Sequence, residues 1–284
     1  MKTKMLPVIA VSAIFGLVAC GDDDNDLEDA RVLDGTQILL RVAGTTATVE
    51  NNNGCVVVEN QSATITCPGA YYVTGESSDF QIVVNTPAVE NEGNTGIYLY
   101  NAILKSSNSP ILVKNADKAV LHLVKGTTNL VEDGAGDHLF TTVNGKPDTA
   151  KAAIYSKDDM NIKGAGTLTV TGNFKNGIQS SNDLKIKNGN ITVVAEANGI
   201  KGKGSLEITG GVLLAFGDYT TDVPSCTAIS YTSDNYYGSG NAAFKPNYTG
   251  NTILYGGEVQ AVGPVETTGM TEFKFPNGAS YMYK

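Results

Sequence analysis

Apolar and polar residues alternate along this chain in short runs, and no window shows the i, i+3, i+4, i+7 spacing of a helix. Between Ala152 and Phe216 the alternation itself repeats. The stretches AAIYSKDDMNIKGAGTLTVTGNFK, NGIQSSNDLKIKNGNITVVAEA and NGIKGKGSLEITGGVLLAFG align with Ile154, Ile178 and Ile200 in one position, Met160, Leu184 and Leu206 in a second, and Ile162, Ile186 and Ile208 in a third. The period is 24 and then 22 residues, the range of a stacked-repeat architecture. Three short strands per repeat, separated by Gly, Asn, Asp and Ser, predict an all-β solenoid, a parallel β-helix with coils of 22–24 residues whose Ile, Leu and Val fill a continuous interior.

The same alternation, less regular, covers residues 55–130. Residues 131–151 (VEDGAGDHLFTTVNGKPDTAK) break it as an excursion, and 216–250 form a polar, Tyr-rich insertion that includes Tyr236 and Tyr237. Residues 31–54 and 271–284 are expected to cap the two ends of one domain spanning 31–284, because an uncapped stack exposes apolar surface and unpaired strand edges. Thirty-two Gly, 17% charged residues and no Trp fit a turn-rich β protein. A net charge of −9 excludes a basic nucleic-acid binder and predicts that any acidic ligand meets a local cationic patch.

Residues 1–19 read as a lipoprotein signal peptide. Lys2 and Lys4 precede a short apolar run, and Leu17-Val18-Ala19-Cys20 places small residues before a cysteine. Cleavage there would leave lipid on Cys20, remove both lysines and take the charge from −9 to −11. The acidic stretch within 20–30 then reads as a tether, so contact with the bacterial outer membrane would be through the anchor only. Cys55 and Cys67 flank VVVENQSATIT; if that stretch is a hairpin they face each other, and an exported location permits a disulfide. A monomer is expected.

In the stacked arrangement outward positions form columns. One holds Tyr155, Gln179 and Lys201; a second, Lys163 and Lys187; a third, Asn161, Lys185 and Glu207. Lysines and amides in rows suit an acidic polysaccharide, and the same lysines equally serve to keep a sheet soluble. Asp158, Asp159, Asn182 and Asp183 lie in the turn column and are the candidates for Ca²⁺, with Asp133 and Asp137 as a second possibility; turn carboxylates also cap backbone groups without metal. Tyr236 and Tyr237 are candidates for stacking on a sugar ring.

Ser109 to Gly134 (SPILVKNADKAVLHLVKGTTNLVEDG), Ala152 to Ile162 (AAIYSKDDMNI) and the Asn-Gly-Ile starts of two repeats resemble the carbohydrate-binding β-helix domain family of the clostridial polygalacturonate-binding type, over roughly residues 60–216. The resemblance implies a right-handed, single-stranded parallel β-helix, calcium at turn carboxylates, and binding of acidic polysaccharide without cleavage. Two departures stand out. The family's Asp-Gly-Ile starts are Asn176-Gly177 and Asn198-Gly199 here, and the Ser-Lys-Asp-Asp turn of the first copy becomes Ser180-Ser181-Asn182-Asp183 and Gly202-Lys203-Gly204-Ser205.

Catalysis is disfavoured. A lyase of the pectate type needs a strong base, and Arg31 and Arg41 both precede the repeats. Paired hydrolytic carboxylates at a defined separation are not apparent, and neither His122 nor His138 has a nucleophile or zinc-ligand pattern around it. The expectation is a non-catalytic polysaccharide-binding surface lipoprotein, with a calcium-dependent lyase and a structural or adhesion protein as alternatives.

Overall fold

The short alternating runs form strands. The computed structural model describes residues 33–87, 93–208, 212–217, 242–243, 257–261 and 279–283, and among these there are 24 strands and no helix. Cys20, Tyr236 and Tyr237 lie outside the described residues, as do the signal peptide, the tether and nearly all of the insertion.

In chain order the strands begin with β1 (Ile38–Gly44), β2 (Thr46–Glu50), β3 (Val56–Glu59), β4 (Ser62–Ile65), β5 (Gly69–Ser77) and β6 (Gln81–Asn85). The middle contributes β7 (Thr95–Lys105), β8 (Ile111–Asn115), β9 (Lys118–Leu123) and β10 (Thr128–Glu132), then β11 (Leu139–Thr141) and β12 (Pro147–Thr149) in the excursion. The three repeats supply β13 (Ala152–Ser156), β14 (Asp159–Gly164) and β15 (Thr167–Gly172); β16 (Asn176–Ser180), β17 (Asp183–Ile186) and β18 (Asn190–Ala195); and β19 (Ile200–Gly202), β20 (Ser205–Ile208) and β21 (Val212–Gly217). Last come β22 (Ala242–Ala243), β23 (Gly257–Ala261) and β24 (Ala279–Tyr283).

The result is all-β with mixed sheets, mostly parallel. The larger sheet runs β20-β17-β14-β9-β7-β10-β15-β18-β21-β23-β24, with β1, β2 and β5 joined to it beside β7. The second runs β3-β4-β6-β8-β13-β16-β19-β22, while β11 and β12 form a separate ribbon. Among the described residues, antiparallel pairing is confined to β1–β2, β3–β4, β11–β12 and β19–β22. Each repeat therefore gives one strand to the second sheet and two to the larger sheet, on either side of β7.

Equivalent residues of successive repeats pair directly. Ile82, Ile111, Ile154, Ile178 and Ile200 follow one another across the second sheet. Met160, Leu184 and Leu206 align across β14, β17 and β20, as do Leu168, Ile191 and Leu213 across β15, β18 and β21. All of these belong to one buried cluster that extends from Leu40 to Leu213. Each such side chain taken out of water contributes roughly 1.5–3 kcal/mol of gross stabilisation, and that is the force holding repeat on repeat.

Corners between strands need unusual backbone. At Gly75 (φ 96°) the register of β5 on β7 shifts, and a Cβ would lie 2.3 Å from the Val42 carbonyl oxygen. The long strand β7 turns at Asn101 (φ 51°), whose side chain accepts a hydrogen bond from the Thr128 backbone N–H at 3.0 Å, so β7 pairs with β9 before the turn and β10 after it.

The N-terminal segment joins the larger sheet directly. β1 pairs in parallel with β5 and extends the ladder, and β2 then folds back antiparallel on β1. At the same end, β3 and β4 form a hairpin whose two loop residues, Asn60 (φ 47°) and Gln61 (φ 62°), both adopt the left-handed conformation that a tight two-residue turn requires. A disulfide joins Cys55 to Cys67 across the base of this hairpin, with Cα atoms 5.3 Å apart. At the other end of the larger sheet, β24 continues the parallel ladder on β23.

Candidate functional site

The outer side of β8, β13, β16 and β19 carries the densest chemistry. Leu112, Tyr155, Gln179 and Lys201 fall in one row. Tyr155 and Gln179, expected to face solvent, are only 2% and 1% exposed. The correction has a tertiary cause at Tyr155. The β11–β12 ribbon folds over it, bringing the Phe140 ring to 6.2 Å between centroids, and Leu112, Ala150 and Ala152 complete the cluster. The Tyr155 hydroxyl shares a 2.8 Å hydrogen bond with Ser181 Oγ, and burial raises its pKa.

Gln179 Oε1 accepts a hydrogen bond from Asn176 Nδ2 at 2.6 Å, and Asn176 Oδ1 accepts from Asn198 Nδ2 at 2.6 Å and from Asn198 N at 3.0 Å. This chain of amides gives a physical reason for Asn-Gly starts in place of Asp-Gly. Two buried carboxylates at that separation would repel, whereas one amide can donate to the next. Gln179 Nε2 and Asn198 Oδ1, at the two ends of the chain, have no hydrogen-bond partner among the described residues.

Two residues beyond the Tyr155 row lies a second column. The backbone N–H groups of Lys157, Ser181 and Lys203 donate in turn to Val113, Ser156 and Ser180, which places these three residues in equivalent positions, with Lys114 preceding them. Lys157 Nζ lies 2.7 Å from Asp148 Oδ2 on β12, and both side chains are about a third exposed, 35% and 32%. Their mutual hydrogen bond raises the Lys157 pKa and lowers that of Asp148. The pKa of Lys203 is lowered, first by burial and then by the positive charges of Lys151 and Lys157, with Asp148 acting in the opposite direction. Lys157 is thus paired with Asp148, and the charges of Lys151 and Lys203 are felt at the same place, as is that of Asp158.

These residues were not among the sequence candidates. The signal was present in the aligned turns, where SKDD and GKGS put Lys157 and Lys203 at the same repeat position. Lys151 and Asp148 come from the excursion, where no periodicity could place them.

The remaining candidates are spread elsewhere. Lys185 pairs with Asn161 and Glu207, and Lys163 with His122, on the larger sheet. Lys187 follows β17 on that sheet, its N–H donating to the Ile162 carbonyl. The expected cationic row is therefore divided between two sheets, with Lys201 and the Lys157–Lys203 column on one and Lys163, Lys185 and Lys187 on the other.

The turn carboxylates make hydrogen bonds within the protein. Asp158 Oδ2 accepts the Ala116 N–H at 3.0 Å, and Asp159 Oδ1 accepts Asn182 Nδ2 at 2.6 Å and the Asp183 N–H at 3.2 Å. Among the described residues no three His, Cys, Asp or Glu side chains come together, and Ca²⁺ also draws oxygens from backbone carbonyls, amides and water. Burial raises the Asp158 pKa.

Asp133, the second metal candidate with Asp137, closes the base of the excursion instead. Its Oδ1 accepts the Asn173 N–H, Asn173 Nδ2 donates to its carbonyl at 2.6 Å, and its Oδ2 lies 3.6 Å from His138 Nε2. Both side chains are fully buried. The His138 ring nitrogen is 2.9 Å from the Gly134 carbonyl, which assigns the proton to Nε2. A further feature absent from the sequence reading is a buried ring stack on the larger sheet, with Tyr72–Tyr98 centroids 4.6 Å apart and Tyr98–His122 centroids 3.9 Å apart.

The chain belongs to the family of carbohydrate-binding domain-containing proteins, whose pattern matches residues 59–218. It is 40% identical over 147 residues to a carbohydrate-binding domain-containing protein of Acetivibrio thermocellus. That match takes in 51% of this chain and 49% of the relative, so the chain spans about half the relative's length. Among solved structures it is similar to a polysaccharide lyase-like protein from C. thermocellum, determined as a gadolinium derivative, with a TM-score of 0.60, 26% identity, and coverage of 87% of this chain and 94% of that one. Family membership supports carbohydrate binding.

Proposed function

We propose that the protein is a lipid-anchored, non-catalytic module of the bacterial outer membrane that holds an acidic polysaccharide, of the polygalacturonate type, along the outer face of β13, β16 and β19. The observation that carries this reading is the column that places Lys157 and Lys203 at equivalent positions of the face, within the electrostatic reach of Lys151, in a chain whose net charge is −9. Local positive charge in an acidic protein marks a place for an anion. The scaffold is a right-handed single-stranded parallel β-helix, a reading supported by the in-register pairing of the repeats. Adjacent positions in a column are then spaced by about 4.8 Å, close to the length of one uronate residue. The anchor rests on the Leu17–Cys20 motif.

Retention of the mature chain on polygalacturonate tests the reading. The wild type is retained, and Lys157→Met and Lys203→Met each weaken retention in a salt-dependent manner. Repeating the retention with EDTA tests whether calcium assists it. The polysaccharide lyase-like name of the structural neighbour gives the rival reading its observation; appearance of unsaturated chain ends would establish that rival. Failure to bind any acidic glycan would remove the proposal and favour an adhesion role.

A further inference from the structure

The β11–β12 ribbon presents two side chains to the candidate face from one cross-strand pair. Phe140 and Asp148 are partners in the ribbon's register, so they project from the same side of it. Phe140 lies over Tyr155, and Asp148 is 2.7 Å from Lys157, two residues further along the same face. An apolar group thus meets an aromatic ring while a carboxylate meets an ammonium group. A uronate unit has the same pair of features, an apolar ring face and a carboxylate on one side of it.

The attachment is suited to exchange. A two-stranded ribbon has little stability of its own, and this one has three register pairs. It is tied to the body by Asn108 Nδ2 donating to the Leu139 carbonyl at 3.2 Å, and the Ala150 N–H closes its base by donating to the His138 carbonyl at 2.8 Å. Leu139 is 64% exposed and Val143 55% exposed, so the outer side of the excursion gains nothing from burial. Lys157, in contrast, is fixed to the sheet through its backbone and shares its column with Ser181 and Lys203.

We propose that the ribbon is an internal ligand mimic: Asp148 and Phe140 occupy the Lys157–Tyr155 subsite in the free protein, and an arriving uronate displaces them and takes their place. The proposal rests on the acidic-polysaccharide reading and adds to it a competitor built into the chain. Displacement uncovers Tyr155 for stacking and releases Lys157 to pair with the ligand, while Lys151 and Lys203 supply the remaining charge.

The test compares wild type, Asp148→Asn and Asp148→Asn/Lys157→Met by calorimetric titration with oligogalacturonate at fixed ionic strength, together with hydrogen exchange of the wild type. Asp148→Asn binds about threefold more tightly, the scale of one partly exposed ion pair, and the double variant loses the gain. Exchange at the Ala150 amide accelerates when ligand binds. Unchanged or weaker binding by Asp148→Asn, while the wild type binds, overturns the mimic alone, as does protection of Ala150 by ligand. Absence of binding by wild type and variant alike overturns the polysaccharide reading itself. Because the exchange measurement uses the unaltered chain, it decides the matter even if a variant folds poorly.

Discussion

Replacing Asp133 by Asn should change the pH dependence of stability in a defined direction. Burial pushes the Asp133 carboxyl up to about 7 from its ordinary 3.8. Between those values the folded state keeps a proton that the unfolded chain has released. The stability this group contributes is therefore fully present below pH 3.8, is lost as pH rises from there through about 7, and is level above. The gap corresponds to about 4 kcal/mol, a ceiling because ionised Asp133 gains relief if His138 takes up a proton. His138 acts with the opposite sign. Burial lowers its pKa below 6.5, so it removes stability as pH falls through that value.

The amide introduced by Asp133→Asn is neutral at every pH and keeps an oxygen for the Asn173 N–H. The difference between their stabilities reports Asp133 together with its coupling to His138. Urea unfolding followed by circular dichroism, at a series of values from about pH 4 to about pH 8.5, should show Asp133→Asn equal to wild type at the acid end and more stable by ~1–4 kcal/mol at the alkaline end. Parallel profiles, or a less stable variant above about pH 7.5, would refute the assignment of Asp133 as a buried, protonated group.

Two further outcomes test the packing. Ile178→Ala, in the row between Ile154 and Ile200 and with no exposed surface, should cost about 2–5 kcal/mol in urea unfolding, and a loss below ~1 kcal/mol would show that the row does not hold the repeats together. Reducing Cys55–Cys67, which closes a short loop across 12 residues, should cost up to about 3 kcal/mol, read as a lower unfolding midpoint in dithiothreitol; an unchanged midpoint would mean that the hairpin contributes nothing to the global transition.

Much of the scaffold was legible because its determinants are local and repeated. Ile154, Ile178 and Ile200 occupy one position in three aligned phrases and are neighbours in space for the same reason, since a single interior row can take only apolar residues. The Cys55–Cys67 pair could be anticipated because a hairpin brings flanking residues together without distant information. The candidate face was less legible. Alternation says that Tyr155 points away from the interior, but not that a ribbon from residues 139–149 covers it. The partnership of Asp148 with Lys157 and the proximity of Asp133 to His138 arise where the excursion folds back, and no periodicity governs that path. The turn aspartates were ambiguous for another reason: a carboxylate that caps a neighbouring N–H and one that ligates a cation look the same in a sequence, and Asp158 and Asp159 each accept a backbone N–H.

The constant register of the repeats also sets a scale of length. Each repeat presents the same three ladders to the next, so a duplicated repeat spliced into the series would meet matching neighbours on both sides and extend the outer face by about 4.8 Å. The hairpin stapled by Cys55 and Cys67 marks the zero of this ruler at one end of the second sheet, where antiparallel pairing stops further parallel growth. Evolution or design could therefore tune avidity for a long polymer by counting repeats, leaving the chemistry of each one untouched.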